Sequence, residues 1–233
     1  LKEVERYALF IGRGAGVNED SLVTLGQSTD LDLVLGGPSD RKTHIEHARD
    51  NAGQNWSAVV LPLSENNTWE EGVDFAMEHT SVEAVALVDP LTSPAEVENM
   101  QRKTERVMAR YMRPIWMAGR ARPMAPDETF QSYLEAVQPL VDGIAADSVT
   151  LTPTLWGPEL GAYLGRLCSQ AVSIADSPMR VKTGPLVGNW VERPKDSSGR
   201  VLDLSVLEAL DAMRFSVPQW YPDYDGTYWA NGN

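Results

Sequence analysis

The sequence predicts an α/β fold, a mostly parallel sheet with helices on both faces, followed by a smaller irregular β-containing C-terminal segment. Three observations predict it. Five short apolar runs are spaced along the first part of the chain. Amphipathic helical stretches lie between them. After Ser177 the texture changes to proline- and glycine-broken sequence.

The candidate strands are Tyr7–Gly12, Ala58–Pro62, Ala84–Val88, Ile115–Ala118 and Val149–Pro153. Each is short, apolar and bounded by turn residues, and continuous apolar runs of this length suit a sheet covered on both faces. Helices fit between them. Thr43–Asn51 is one. A second begins at Thr68, where Thr68 and Glu71 have capping-box spacing. A third starts with Ser93 as N-cap, Pro94 at the first helical position and Glu96 three after the cap. Its apolar stripe is Val97, Met100, Val107, Met108 and Tyr111. A fourth runs from Glu128 to Val141, with Phe130, Tyr133, Leu134, Val137 and Val141 inward, and a fifth from Pro158 to Ile174. Strand and helix alternating in this way argue for parallel crossovers. The expected division is an α/β core over 1–176 and a β-loop and helix segment over 177–233. In the latter, Leu186–Val191 and Arg200–Leu204 flank a loop at Pro194–Gly199, and a last helix spans Leu204–Arg214 with Val206, Leu207, Leu210 and Met213 inward.

Composition narrows the function. The 233 residues carry 33 Asp and Glu against 20 Lys and Arg, a net charge of −13. A chain this acidic repels phosphate backbones and anionic lipid, so neither nucleic acid nor a membrane surface is an expected partner. No apolar run reaches the roughly 18–20 residues of a membrane span, and no charged-then-apolar signal stretch opens the chain. The single cysteine, Cys168, sits among Leu160, Tyr163, Leu164, Leu167, Ala171 and Val172 at helical spacing and reads as a structural thiol. One unpaired thiol suits a reducing compartment.

Searches for catalytic constellations fail. Gly12-Arg13-Gly14-Ala15-Gly16 follows the first strand, where a dinucleotide-binding turn would sit. Val17 stands where the third small residue belongs, the acidic Glu19 and Asp20 follow, and no Gly-Lys-Ser/Thr ending is present. Asp30 or Asp32 lies near the spacing of a ribose-binding acid. A nucleotide-binding α/β enzyme using Gly12–Gly16 is thus a minor alternative to a plain glycine-rich loop. His44 and His47 flank Glu46 on a predicted helix without an evident third metal ligand, so a solvated helix face is expected. His79 suits a helix C-terminus. No Gly-x-Ser-x-Gly elbow is present, and Asp176-Ser177 before Pro178 reads as a turn. The expectation is no enzyme, no cofactor and no metal.

The remaining feature is aromatic. Trp220, Tyr221, Tyr224, Tyr228 and Trp229 fall within ten residues, among Pro218, Pro222 and Gly226. Such density fills a core edge or anchors a subunit or interdomain interface; both readings stay open.

Four stretches carry a family resemblance: Phe10–Gly16 (FIGRGAG), Asn51–Pro62 (NAGQNWSAVVLP), Leu167–Met179 (LCSQAVSIADSPM) and Val217–Asn233 (VPQWYPDYDGTYWANGN). They resemble the contractile-tail sheath proteins of temperate myophages, in the divergent branch of Haemophilus- and Vibrio-type phages. The resemblance implies a structural virion subunit, assembled in the bacterial cytoplasm, that stacks in rings around a tail tube. Its contraction drives the tube through the host envelope without a nucleotide. It implies as partners other sheath subunits, the tube protein, the baseplate and the tail terminator. Another tail or baseplate component is the alternative. The run at Val217–Asn233 is similar to the passage from the α/β domain to a C-terminal polymerisation domain. On that reading this is a core trimmed of its strand-adding arms and expected to be monomeric or weakly associated.

Overall fold

The computed structural model describes residues 7–53, 56–169 and 184–229. Its centre is a six-stranded sheet of β1 (Ala8–Gly12), β2 (Val23–Gly26), β3 (Ser57–Pro62), β4 (Ala84–Leu87), β5 (Trp116–Arg120) and β6 (Val149–Thr152), in the order β2-β3-β1-β4-β5-β6. All pairings are parallel except β2 with β3. The five expected strands are present to within two residues at each end. The edge strand β2 was not expected: Val23-Thr24-Leu25-Gly26 is too short and too polar to stand out, and only Leu25 of it is buried.

The helices are α1 (Leu31–Leu35), α2 (Asp40–Ala52), α3 (Trp69–His79), α4 (Pro94–Tyr111), α5 (Phe130–Val137), α6 (Glu159–Leu167) and α7 (Leu204–Ala212), with a 3-10 turn at Gln138–Leu140 after α5. Their caps explain their starts. The Thr68 and Glu71 box closes α3, with the Thr68 N–H donating to the Glu71 carboxylate at 3.0 Å. The Glu96 carboxylate likewise accepts from the N–H groups of Thr92 (2.7 Å) and Ser93 (3.0 Å). Asp203 caps α7; the Ser205 hydroxyl and then Arg200 push its carboxyl down to about 2. The predicted fifth helix is shorter than expected, with Cys168 half-buried at its C-terminal cap, and its predicted continuation to Ile174 lies outside the described residues. So do the Asp176-Ser177-Pro178 turn and the 176/177 boundary.

Strand alternation divides the interior into two cores. Leu9, Ile11, Leu61, Val85, Leu87, Met117 and Leu151 face α3, α4, α5 and α7. Ala8, Phe10, Ala58, Val60, Ala84, Ala86 and Ala118 face α1, α2 and α6. Residues 184–229 contribute to both: Leu202, Val206, Leu207, Leu210, Phe215 and Val217 to the first, Leu186, Trp190 and Trp229 to the second. The stripe of α4 differs from expectation at one position. Met108 is 42% exposed, while Lys103 is buried and donates to Asp74 of α3 at 2.8 Å. A lysine stem lies along apolar surface as readily as methionine does once its ammonium is paired.

The strand face under the second core is built largely of small side chains: five of its seven positions named above are alanine. Helices α2 and α6 touch backbone to backbone. A Cβ added at Gly161 would lie under 3 Å from the carbonyl of His44, and one at Gly165 under 3 Å from that of Ala48. Glycines four apart on one helix thus seat on carbonyls four apart on the other. Here these glycines serve close approach, not a special backbone angle.

Among the described residues no helix is long and apolar enough to cross a membrane. Residues 186–191 form no strand; the two sides of the 194–199 loop meet only in an isolated antiparallel bridge between Lys195 and Val201. The C-terminal β structure is instead a two-stranded antiparallel hairpin of β7 (Pro218–Gln219) and β8 (Tyr228–Trp229).

The glycine seat makes a direct prediction. Gly161→Ala or Gly165→Ala should each cost about 1–3 kcal/mol, the usual range for overpacking, lowering the thermal midpoint by roughly 2–4 °C per kcal/mol in a chain of this size. Gly37→Ala, with open space around its would-be Cβ, should leave the midpoint within about 1 °C on the same scale. Denaturation curves of the three variants check this.

Candidate interaction surface

One site candidate, the 12–16 loop, lies at the carboxyl end of a parallel strand, where open parallel sheets bind ligands. The loop leaves the central strand β1 but leads to the antiparallel β2, not directly into a helix as a dinucleotide-binding turn does. Its space is filled by the buried Arg41. That guanidinium donates to the Gly12 carbonyl at 3.1 Å, and a Cβ at Gly14 would meet its Cζ at 2.8 Å. Asp89 accepts from the Arg13 N–H (3.0 Å) and from its guanidinium (2.8 Å). The acids considered for a ribose are committed elsewhere: Asp30 is the N-cap of α1, accepting from Leu33 N–H at 3.1 Å, and Asp32 pairs with Lys42.

The histidines are not a solvated face. His44 is 2% exposed, on the side of α2 that meets α6, and the Gly161 N–H donates to its Nδ1 at 3.1 Å. This places the ring proton on Nε2. The expectation failed because the α2 pattern is nearly uniformly polar: Arg41, Lys42, His44 and Asn51 are all buried. Their polar groups turn to local partners. The Asn51 side chain, for example, bonds the backbone of Val187 on both sides, at 2.9 and 3.1 Å. His47 is half-buried with its ring edge-on to Trp190, centroids 6.0 Å apart. Burial first, then the nearby Arg120 guanidinium, holds the His44 imidazole well below its usual value of 6.5; burial also lowers His47. Among the described residues no three His, Cys, Asp or Glu side chains are placed to hold a metal ion. His79 ends α3 and its Nδ1 lies 2.7 Å from the Phe75 carbonyl.

Among the described residues the carboxylate with the deepest burial is Glu159, at the start of α6. It accepts from the N–H groups of Leu155, Trp156 (2.7 Å) and Gly157 (2.8 Å). Burial pushes its carboxyl up, and those N–H groups oppose the shift. It closes the turn that feeds α6 and has no polar group facing solvent.

The aromatic run divides in two. Trp229 is buried; its indole donates to the Ser216 hydroxyl at 2.8 Å and its ring lies 5.2 Å from that of Tyr163 in α6. Tyr228 is buried as well, its hydroxyl donating to the Asp225 carbonyl at 2.8 Å. The rings of Tyr221, Tyr224 and Tyr228 form a triangle with centroids 6.1–6.3 Å apart, of which Tyr224 is 54% exposed. Trp220 is half-buried, and the Arg193 guanidinium stacks on it at 4.0 Å.

Arg193 belongs to a second feature, which sequence reading did not single out. A shallow groove of about 770 Å³ is lined by residues that include Trp156, Val191, Glu192, Arg193, Lys195 and Val201. Its wall is the 194–199 loop, fixed by Asp196. The Asp196 carboxylate accepts from the Ser198 N–H (2.9 Å), the Ser198 hydroxyl (2.6 Å), the Arg200 N–H (3.0 Å) and the Phe130 N–H at the start of α5 (3.1 Å). The Asp-Ser-Ser-Gly spelling at 196–199 is the turn signal from which this wall could have been read.

All 233 residues match the family described as DUF2586, N-terminal domain. Among curated proteins, the "Putative tail sheath protein" of Haemophilus phage HP1 is 37% identical over 239 residues, a match covering 99% of this chain and 63% of that protein. The chain therefore spans less than two thirds of that relative's length. Among solved structures, the fold is similar to the contracted helical sheath of the anti-feeding prophage (15% identity, TM-score 0.57, 99% of this chain and 62% of that one). It is also similar to a sheath tail protein of Desulfitobacterium hafniense (9% identity, TM-score 0.55, 97% and 70%). At these identities the likeness is one of fold.

The buried histidine sets a pH dependence. The unfolded chain takes up a proton near pH 6.5 that folded His44 does not accept, so stability is full above that value and is lost as pH falls below it, by up to about 1.4 kcal/mol per pH unit per such group. The urea midpoint of the wild type should fall between pH 7 and 5. His44→Gln should be less stable at pH 7 yet show a shallower slope; equal slopes would reject the assignment.

Proposed function

The chain belongs to the family described as DUF2586, N-terminal domain, and from that membership we propose that it is the α/β body of a contractile-tail sheath subunit. The observation that carries this is the 37% identity to the Haemophilus phage protein, which runs across 99% of the chain. Identity at that level over a whole domain implies a common fold and a common set of packing demands. The sheath-like fold of the two solved structures supports the same reading.

The role is mechanical. A subunit that works by changing its contacts needs a body that does not deform, and this one is built that way: two cores, backbone-seated helices, and buried cations tied to neighbouring elements. Arg120 of β5, for example, donates to the Val88 carbonyl (2.5 Å) and to Asp40 of α2 (2.6 Å). No catalytic role is assigned. The natural location is the virion tail, after assembly in the bacterial cytoplasm. The partners are further sheath subunits, the tube protein, the baseplate and the tail terminator. Within the aromatic run, Trp220, Tyr221 and Tyr224 serve intersubunit or interdomain contact, while Tyr228 and Trp229 fasten the hairpin to the body. The segment 177–233 serves as the passage from the α/β core to the rest of the full-length subunit.

A baseplate role is the second reading, favoured by the fold's similarity to a chain of the contracted anti-feeding prophage baseplate (TM-score 0.56, 11% identity). The full-length protein, expressed with the tube protein and viewed by negative-stain microscopy, should form rings or tubes. Persistent monomers with tube protein present would reject the sheath reading, and binding only at tube ends would favour the baseplate.

A further inference from the structure

Resting on the sheath reading, we propose that the groove beside the 194–199 loop seats an acidic face of a second copy of this chain. The first ground is unpaired charge. Arg13, Arg102, Arg110, Arg122 and Arg200 are each ion-paired within the chain. The side chains of Arg193 and Lys195 are exposed and form no ion pair or hydrogen bond among the described residues; Arg106 and Arg214 are likewise exposed and unpaired, but Arg193 and Lys195 line one groove together. The two cations outnumber the one carboxylate of the lining, Glu192, which accepts from the Asn189 side chain at 3.2 Å, on a chain whose net charge is −13. The surface of another copy is acidic on average, so it complements this site and repels most others.

The second ground is preorganisation. Arg193 is already stacked on Trp220 at 4.0 Å, so its guanidinium loses little freedom on binding a carboxylate and keeps its edge donors available. The loop that presents both cations is fixed by the four hydrogen bonds of Asp196. The third ground is apolar anchorage. Val191 is 77% exposed and Val201 43%, and they line the same groove as the half-buried Trp156. Exposed aliphatics with tryptophan and arginine are what the centre of a protein interface is made of.

The symmetry follows. A basic groove on one copy and an acidic face on the next are different surfaces, so the contact is head-to-tail. Contacts of that kind propagate into rings or open helices and not into closed two-fold dimers. That is the geometry a sheath requires.

The test uses full-length protein assembled with tube protein. Lys195→Glu should leave the thermal midpoint of the unassembled subunit unchanged, since its side chain has no ion pair or hydrogen bond among the described residues. Arg193→Glu should lower it by at most about 4 °C through loss of the Trp220 stack, and the two together should reduce tube yield at least tenfold. Tubes at wild-type yield would overturn the groove assignment and leave the sheath reading standing; absence of tubes from the wild type would overturn both. In wild-type tubes grown from mixed light- and heavy-isotope subunits, zero-length carbodiimide crosslinking should join Lys195 to an Asp or Glu of the other isotope. Crosslinks from Lys195 only within one chain, or only to tube protein, would also overturn it.

Discussion

The backbone of α6 rests on the backbone of α2 at Gly161 and Gly165, and the second core depends on that contact. Helices with side chains at their crossing stand about 8–10 Å apart; two glycines remove the spacer. The sheet face beneath supplies alanines at Ala8, Ala58, Ala84, Ala86 and Ala118, so the closeness is matched on both sides. The cost is polar. A helix pressed this close to a neighbour buries whatever lies along its face, and α2 brings Arg41, His44 and Asn51 inside. Each finds a local partner: a loop carbonyl, the Gly161 N–H, the backbone of Val187. A buried donor or acceptor without a partner costs roughly 1–3 kcal/mol, so α2, α6 and residues 184–229 are specified together.

From that seat the surface is built outward. Asn51 holds Val187; Thr227 accepts from the Leu186 N–H at 2.7 Å and donates its hydroxyl to the Trp190 carbonyl at 3.0 Å. Trp190 packs between His47 and Trp156, and Trp229 closes on Tyr163 of α6. These contacts place the 194–199 loop and the β7–β8 hairpin on the outside of the body, with Arg193 and Trp220 bridging them.

Much of this was legible in the sequence, and the failures have physical causes. The five apolar strands were readable because a sheet covered on both faces demands continuous apolar runs. The boxes at Thr68 and Ser93 were readable because capping is local. Helix α2 was misread on its buried side because its partner is a backbone, which asks for small size opposite it and not for apolar residues on it. The signal that could have found this was Gly161-x-x-x-Gly165, unremarkable in a soluble chain until the facing helix is known. The β2 strand was missed because an antiparallel edge strand needs only one buried residue, Leu25. The aromatic run was conspicuous in the sequence, but its division into buried Tyr228 and Trp229, half-buried Trp220 and Tyr221 and exposed Tyr224 depends on a hairpin of two residues per strand, below the length at which periodicity speaks. The groove was not legible at all, since its lining comes from residues about 40 apart.

On the proposed sheath reading, this chain is a rigid body whose contacts, and not whose interior, change on contraction. Cryo-electron microscopy of the full-length assembly before and after contraction tests this most directly. The account predicts that residues 7–53 and 56–169 superpose between the two states, with Gly161 and Gly165 still seated on α2 and the change confined to contacts between copies. Separation of α6 from α2 on contraction, or an assembly in which this domain does not form a sheath at all, would contradict it.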